Sequence, residues 1–191
     1  MTLLPARLQM SSFSSRGCLL ESASFSRRGF LRGRMRRVEP AQRPPWALDE
    51  ATFLDRCTRC DACVKACPTR ILVNGDGGFP MVDFAQGECT FCGECVRHCE
   101  PAALTPEAGE PWLLKAQIGA GCIAHQGVEC RVCGESCPTG AIRFRLQRGG
   151  VAQPDLNLER CNGCGACFAP CPTRAIEVKA GLKAMEQEER V

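Results

Sequence analysis

Apolar positions along this chain fall in short bursts rather than in long periodic stretches. Ile71-Leu72-Val73, Ala141-Ile142-Arg143-Phe144 and Ala175-Ile176-Glu177-Val178 are rich in β-favouring residues and predict short strands. Asn74-Gly75-Asp76-Gly77-Gly78 and Gly149-Gly150 predict turns, because glycine and asparagine tolerate the backbone angles that tight reversals need. Helical stretches are short, and Ala180 to Arg190 reads as a charged final helix or a frayed tail. Residues 1–20 mix Ser and Leu without a clear period. No apolar run approaches the roughly 18 residues that a membrane-spanning helix needs. The pattern is strand, loop, short helix and strand, repeated: an α+β class of small pieces.

Pieces this small bury little on their own. The 191 residues include only two Trp, nine Phe and no Tyr, but 17 Cys. A thin core of this kind needs a covalent or metal staple, and the cysteines must supply it. Sixteen of them form four quartets: Cys57, Cys60, Cys63, Cys67; Cys89, Cys92, Cys95, Cys99; Cys122, Cys130, Cys133, Cys137; and Cys161, Cys164, Cys167, Cys171. Cys18 is left over as an incidental thiol.

The quartets repeat in pairs. Cys57 precedes Cys130 by 73 residues, and Cys89 precedes Cys161 by 72. Gly78-Phe79-Pro80-Met81-Val82-Asp83 and Gly150-Val151-Ala152-Gln153-Pro154-Asp155 each begin eleven residues before the next quartet. A tandem duplication of a two-quartet module accounts for this. The expected division is a basic, disordered arm over residues 1–45, a first module over 46–104, a linker over 105–121, a second module over 122–179 and a charged tail over 180–191.

Three chemistries compete for the cysteines: disulfides, zinc and iron–sulfur clusters. Disulfide frameworks belong to secreted chains, and no usable export signal is present. Structural zinc sites pair two short elements across a dozen or more residues, rather than compressing four cysteines into eleven positions. The first and fourth quartets instead follow C-x2-C-x2-C-x3-C-P, closed by Pro68 and Pro172, the spacing of bacterial 4Fe–4S sites. Two-residue spacers wrap one cubane tightly, and the fourth cysteine leaves the loop to reach a neighbouring cluster. The second quartet keeps the spacing but places Glu100 before Pro101. The third is looped, C-x7-C-x2-C-x3-C-P, ending in Pro138. Three 4Fe–4S clusters follow from the unbroken quartets and a fourth from the looped one, which is expected to be the most labile. Tandem pairing puts Cys99 with Cys57, Cys60 and Cys63, and Cys67 with Cys89, Cys92 and Cys95. It likewise puts Cys171 with Cys122, Cys130 and Cys133, and Cys137 with Cys161, Cys164 and Cys167. Nested pairing, quartet one with four and two with three, is the alternative. His125, in the looped insertion, reads as a surface histidine rather than an iron ligand, and His98 has no stronger case. There is no P-loop, no G-x-G-x-x-G and no nucleophile–base pair, so no enzyme activity and no organic cofactor are expected.

Charge changes the picture at the N-terminus. Formal net charge is +3, yet residues 1–45 hold nine Arg against Glu21 and Glu39. Ser26-Arg27-Arg28-Gly29-Phe30-Leu31-Arg32 has the look of a twin-arginine export motif, but the charged Gly33-Arg34-Met35-Arg36-Arg37 replaces the apolar run such signals need. The chain is therefore expected in the cytoplasm. Arg27, Arg28, Arg32, Arg34, Arg36 and Arg37 are the candidate partner-binding residues, suited to an acidic surface; a solvated tail is the plainer reading.

The arginine segment, two close quartets, the x7 spacing, Gly78-Phe79-Pro80 and the final Cys161-Asn162-Gly163-Cys164-Gly165-Ala166-Cys167 together resemble the NapF family, the ferredoxin-type accessory proteins of the periplasmic nitrate reductase. The resemblance spans about residues 26–178. It implies a role in the maturation of the nitrate reductase catalytic subunit, whose cytoplasmic precursor is the implied partner; no nucleic acid and no membrane span are implied. A generic polyferredoxin carrying electrons between redox enzymes, and a scaffold with purely structural clusters, are the alternatives.

Overall fold

The computed structural model describes residues 41–181. Cys18, the six candidate arginines of the arm and most of the Ala180–Arg190 segment lie outside the described residues. The regular elements run in the order α1 (Glu50–Arg56), α2 (Ala62–Ala66), β1 (Leu72–Asn74), β2 (Pro80–Val82), α3 (Glu94–Arg97), β3 (Leu114–Ile118), α4 (Val132–Glu135), β4 (Ile142–Arg145), β5 (Gln153–Leu156) and β6 (Ile176–Ala180). Among the described residues no helix is long and apolar enough to cross a membrane.

Helix α1 starts where its sequence says it should. The Asp49 carboxylate accepts the Thr52 N–H at 3.1 Å, with Glu50 in the first turn and Arg56 in the last, matching the helix dipole at both ends. Its Phe53 is completely buried. Arg43 lies over the rings of Phe53 and Phe79, at 5.0 and 5.5 Å, and pairs with Glu50 at 2.7 Å. Pro44 beside it is fully buried. Within residues 41–45, read from sequence as the end of a disordered arm, Arg43 is thus packed on α1, Pro44 is buried, and the Gln42 carbonyl accepts the Val82 N–H at 2.8 Å.

The strands form three two-stranded antiparallel sheets. In β1–β2, Leu72 faces Val82; in β4–β5, Ile142 faces Leu156. Each of these hairpins follows a quartet. The third sheet, β3–β6, sets Ala116 opposite Val178 and Ile118 opposite Ile176, joining the residues before the third quartet to those after the fourth. The first half has a smaller counterpart in the single bridge between Ala47 and Leu104. The 105–121 stretch read as linker therefore contains a strand.

The two hairpins correspond, but with an offset that residue counting does not give. The Asp83 N–H donates to the Ile71 carbonyl, and the Asn157 N–H donates to that of Ala141, both acceptors lying four residues after a fourth cysteine. Each side chain also accepts from the backbone N–H two residues on, of Ala85 and Glu159. Asp83 thus matches Asn157 rather than Asp155: the second hairpin is longer by four residues, and the stretch from it to the next quartet is shorter by two.

A turn recurs after every quartet. Arg70, Ala102, Gly140 and Arg174, each three residues past the fourth cysteine, have φ of 57°, 53°, 57° and 52°. Each donates its N–H to that cysteine's carbonyl, at 3.0–3.2 Å. Three side-chain-bearing residues accept left-handed backbone here, a strain of the order of 1 kcal/mol or more apiece, so the geometry is imposed from outside the turn.

The interior is small and cysteine-rich. One cluster gathers Phe53, Ile71, Leu72, Val82, Phe84, Leu104 and Leu114 with Cys63 and Cys95; the other consists of Ala116, Ala141, Ile142 and Ile176 with Cys133, Cys161 and Cys167. Strand β3 feeds both, with Leu114 in the first and Ala116 in the second.

Candidate metal centres

The cysteines line four cavities, four to each. Cys57, Cys60, Cys63 and Cys99 surround one; Cys67, Cys89, Cys92 and Cys95 a second; Cys122, Cys130, Cys133 and Cys171 a third; and Cys137, Cys161, Cys164 and Cys167 the fourth. The structure thus brings the quartets together in the tandem arrangement rather than the nested one. The cavities are nearly equal, with about 340, 330, 350 and 310 Å³ of empty space, part of it open to solvent. One-turn helices explain the sharing. Cys63 lies inside α2 and Cys67 caps its end, so a single turn sends one thiol to each of two cavities. Helix α3 carries Cys95 and α4 carries Cys133 in the same way.

Among the described residues no three His, Cys, Asp or Glu side chains converge on a point that would hold one metal ion. A cubane asks for another layout, with four thiolates set apart around a compact volume so that each meets its own iron. Apolar walls, four separated thiols and backbone N–H groups aimed at sulfur meet that requirement. The Phe91 N–H points at Cys89 Sγ and the Ala116 N–H at Cys161 Sγ, both at 3.4 Å.

Burial pushes the Cys63, Cys95 and Cys167 thiols up to about 12, with neighbouring thiols adding to the shift. Cys89 and Cys133 rise to about 11, and Cys164 is also raised, again chiefly by burial. At neutral pH, thiolates at these positions need a positive charge among them, which is what iron supplies. Cys67, Cys137 and Cys171 behave otherwise. Burial opposes ionisation there as well, but hydrogen bonds from the following threonine and from backbone N–H groups outweigh it and hold the thiols below their usual value.

Residues 49–104 and 127–175 each match a family described as a 4Fe-4S dicluster domain. The ferredoxin-type protein NapF of Escherichia coli K12 is 50% identical over 151 residues, which cover 79% of this chain and 92% of the relative. NapF of Haemophilus influenzae is 47% identical over 160 residues, 78% of this chain and 91% of the relative. The chain belongs to the NapF family. More distant is the methylamine utilization ferredoxin-type protein MauM of Methylobacillus flagellatus, at 30% identity over 161 residues, 74% of this chain and 68% of the relative. This NapF-family chain is an iron–sulfur protein of ferredoxin type.

Its halves meet where the sequence gives no hint. The Cys89 N–H donates to the Cys164 carbonyl at 2.8 Å, so one residue from the second cavity touches one from the fourth. Around this contact Phe84 packs on Phe168 and Trp112, with ring centroids 6.4 and 5.8 Å apart, and Phe91 packs on Trp112 at 5.6 Å. Trp112 Nε1 donates to the Asn162 carbonyl at 3.0 Å. The glycines of Cys161-Asn162-Gly163-Cys164-Gly165 make room for the approach. A Cβ on Gly165 would lie 2.0 Å from the Phe84 ring, and one on Gly163 would lie 2.5 Å from the Leu114 carbonyl oxygen. As a result Cys164 is buried, whereas its counterparts Cys60 and Cys92 are exposed. These aromatic and glycine positions are site residues that the cysteine spacing does not reveal.

The looped third quartet is firmly built in this NapF-family chain. Ala124 is completely buried, and its carbonyl accepts from Gln153 Nε2 at 2.7 Å. The N–H groups of Gln126 and Val128 both return to the Ile123 carbonyl. The insertion is thus a compact knot pinned to β5, and it sets Cys122 into its cavity. His125 on that knot is exposed and absent from the cavity wall. His98 does line the Cys57 cavity, while its Nδ1 lies 3.0 Å from the Glu94 carbonyl.

Proposed function

We propose that this chain holds four 4Fe–4S clusters in two tandem two-cluster modules and works in the cytoplasm on the precursor of the periplasmic nitrate reductase catalytic subunit, before that subunit is exported. The proposed ligand sets are the four groups of cysteines that share a cavity. Bound there, the clusters supply one-electron chemistry or iron and sulfide for transfer. The observation that carries the reading is 50% identity to NapF over 79% of the chain. The four matched cavities support the cluster count.

Two measurements test it. Tagged protein, prepared with and without its clusters, is used to capture the untransported precursor. Capture by the cluster-loaded form, and weak or no capture by the stripped form, is the expected result; no capture by either removes the maturation role. The second concerns the arm. Replacing Arg27, Arg28, Arg32, Arg34, Arg36 and Arg37 by Gln should lower precursor capture at low salt, where charge attraction is least screened, while leaving iron content unchanged, since no cysteine quartet is touched. Equal capture by the Gln variant, with equal nitrate reductase activity in the same cells, makes the arm a plain tail.

A second reading, an electron carrier between redox enzymes, draws support from the Cys89–Cys164 contact, which sets cavities of different modules side by side. A scaffold would have no use for that adjacency.

A further inference from the structure

The turn that follows each quartet keeps its backbone but not its sequence, and one of the four departs from the rest. After Cys67, Cys137 and Cys171 comes Pro-Thr, namely Pro68-Thr69, Pro138-Thr139 and Pro172-Thr173. In all three the threonine hydroxyl faces the cysteine sulfur two residues back, at 3.5, 3.5 and 3.8 Å. The turn then aims a backbone N–H at the same sulfur, from Ala141 to Cys137 and from Ala175 to Cys171, both at 3.3 Å. After Cys99 the order is Glu100-Pro101-Ala102. The backbone there makes the same turn, with the Ala102 N–H on the Cys99 carbonyl at 3.0 Å and the same left-handed third residue. Proline has moved one place along, however, and occupies the position where the other three turns carry a hydroxyl.

We propose that Thr69, Thr139 and Thr173 are potential-setting residues. Each donates a hydrogen bond to the fourth cysteine's thiolate and raises the reduction potential of the cluster that this cysteine completes. Among the described residues, the cluster completed by Cys99 has no such donor. The physical cause is the charge carried by the ligand sulfurs. A cluster that takes up one electron becomes more negative, its sulfurs become better acceptors, and a fixed donor stabilises the reduced form more than the oxidised one. The hydroxyl touches sulfur and not iron, so its removal leaves the ligand set intact. The three threonines serve three different cavities: Thr69 the Cys89 cavity, Thr139 the Cys161 cavity and Thr173 the Cys122 cavity. One chain therefore carries three tuned sites and one untuned site, by a single-residue shift of proline.

The inference rests on the cluster reading above, and the experiment separates the two. Anaerobically purified full-length chain and its Thr69→Val, Thr139→Val and Thr173→Val variants are titrated by spectroelectrochemistry and EPR, with iron content measured on the same samples. Each Val variant is expected to lower one potential and leave the others in place. A tenfold change in the reduction equilibrium is expected, which is about 59 mV for one electron. Thr→Ser should restore the parent value. The paired change Glu100→Pro with Pro101→Thr should install the missing donor and raise one potential by a similar amount, and it decides the matter if a Val variant loses iron. Reduction equilibria that change less than twofold in iron-replete Val variants, or no rise in potential on installing the donor, overturn the proposal. A parent chain without iron overturns the cluster reading itself.

Discussion

Stripping the iron from this protein with chelator and oxidant is expected to abolish its cooperative thermal transition along with its brown colour. The second interior cluster shows why. Three of its seven buried residues are cysteines, and two more are Ala116 and Ala141, leaving Ile142 and Ile176 as the sizeable apolar side chains. Burying a side chain of that kind is worth about 1.5–3 kcal/mol, far below the conformational entropy of ordering several dozen residues. The sheets give no reserve, since each has only two strands, an arrangement that is marginal in water. Metal binding and folding are then one equilibrium. Far-UV circular dichroism of the stripped protein should show much less structure, and the loaded protein should contain about 12–16 irons per chain, four for each cubane. A cooperative, native-like melt without iron would count against this account. An iron content near four, or zinc in its place, would remove the cluster assignment.

Gly165→Val is the single substitution with the largest expected effect. Gly165 has φ of +82°, and the Phe84 ring fills the space where a side chain would begin. A β-branched residue faces both penalties at once: about 1–2 kcal/mol or more for left-handed backbone, and about 1–3 kcal/mol for displacing a packed ring. Phe84 cannot yield freely, being held between Trp112 and Phe168. The variant should open the contact between halves, expose Cys164 to alkylation and lose about a quarter of the iron. Gly149→Ala is the control. Its φ of +71° imposes backbone strain alone, with nothing within 4 Å, so its melting temperature should drop much less and its iron content should hold. Equal behaviour of the two variants would mean that the Phe84 contact contributes nothing to the fourth site.

The cysteine quartets were legible because their spacing is covalent, and a tight loop around a compact cofactor leaves few alternatives. The runs beginning at Ile71, Ala141 and Ala175 were legible as strands for a similarly local reason, and β1, β4 and β6 lie within or beside them. Their partners were not legible. Strands β2 and β5 contain Pro80 and Pro154, which ordinarily argue against a strand. In a two-stranded sheet every strand is an edge, so a missing N–H can face outward at no cost. Strand β3 lay hidden in an apparent linker because its partner β6 is about 60 residues away. The contact of Phe84 with Gly165 is equally non-local, and one phenylalanine and one glycine make no pattern. Composition also described the basic arm too broadly, since Arg43 belongs to the folded body through its stacking on Phe53 and Phe79.

The meeting of the second quartet with the fourth, rather than with the third that follows it in sequence, has a consequence for synthesis. As the nascent chain leaves the ribosome, the first module has all of its thiols once Cys99 has emerged. The third quartet emerges next but lacks a neighbour on either side, because its cavity waits for Cys171 and its strand β3 waits for β6. The last 20 or so described residues therefore complete contacts begun much earlier in the chain, Cys164 with Cys89 and β6 with β3. A premature stop after Cys137 would not yield a shortened protein with three good sites. It would yield one complete module, bearing on its flank the uncovered Phe84 and Trp112 that Phe168 and Asn162 should have met, the kind of exposed apolar surface by which quality-control proteases select their substrates.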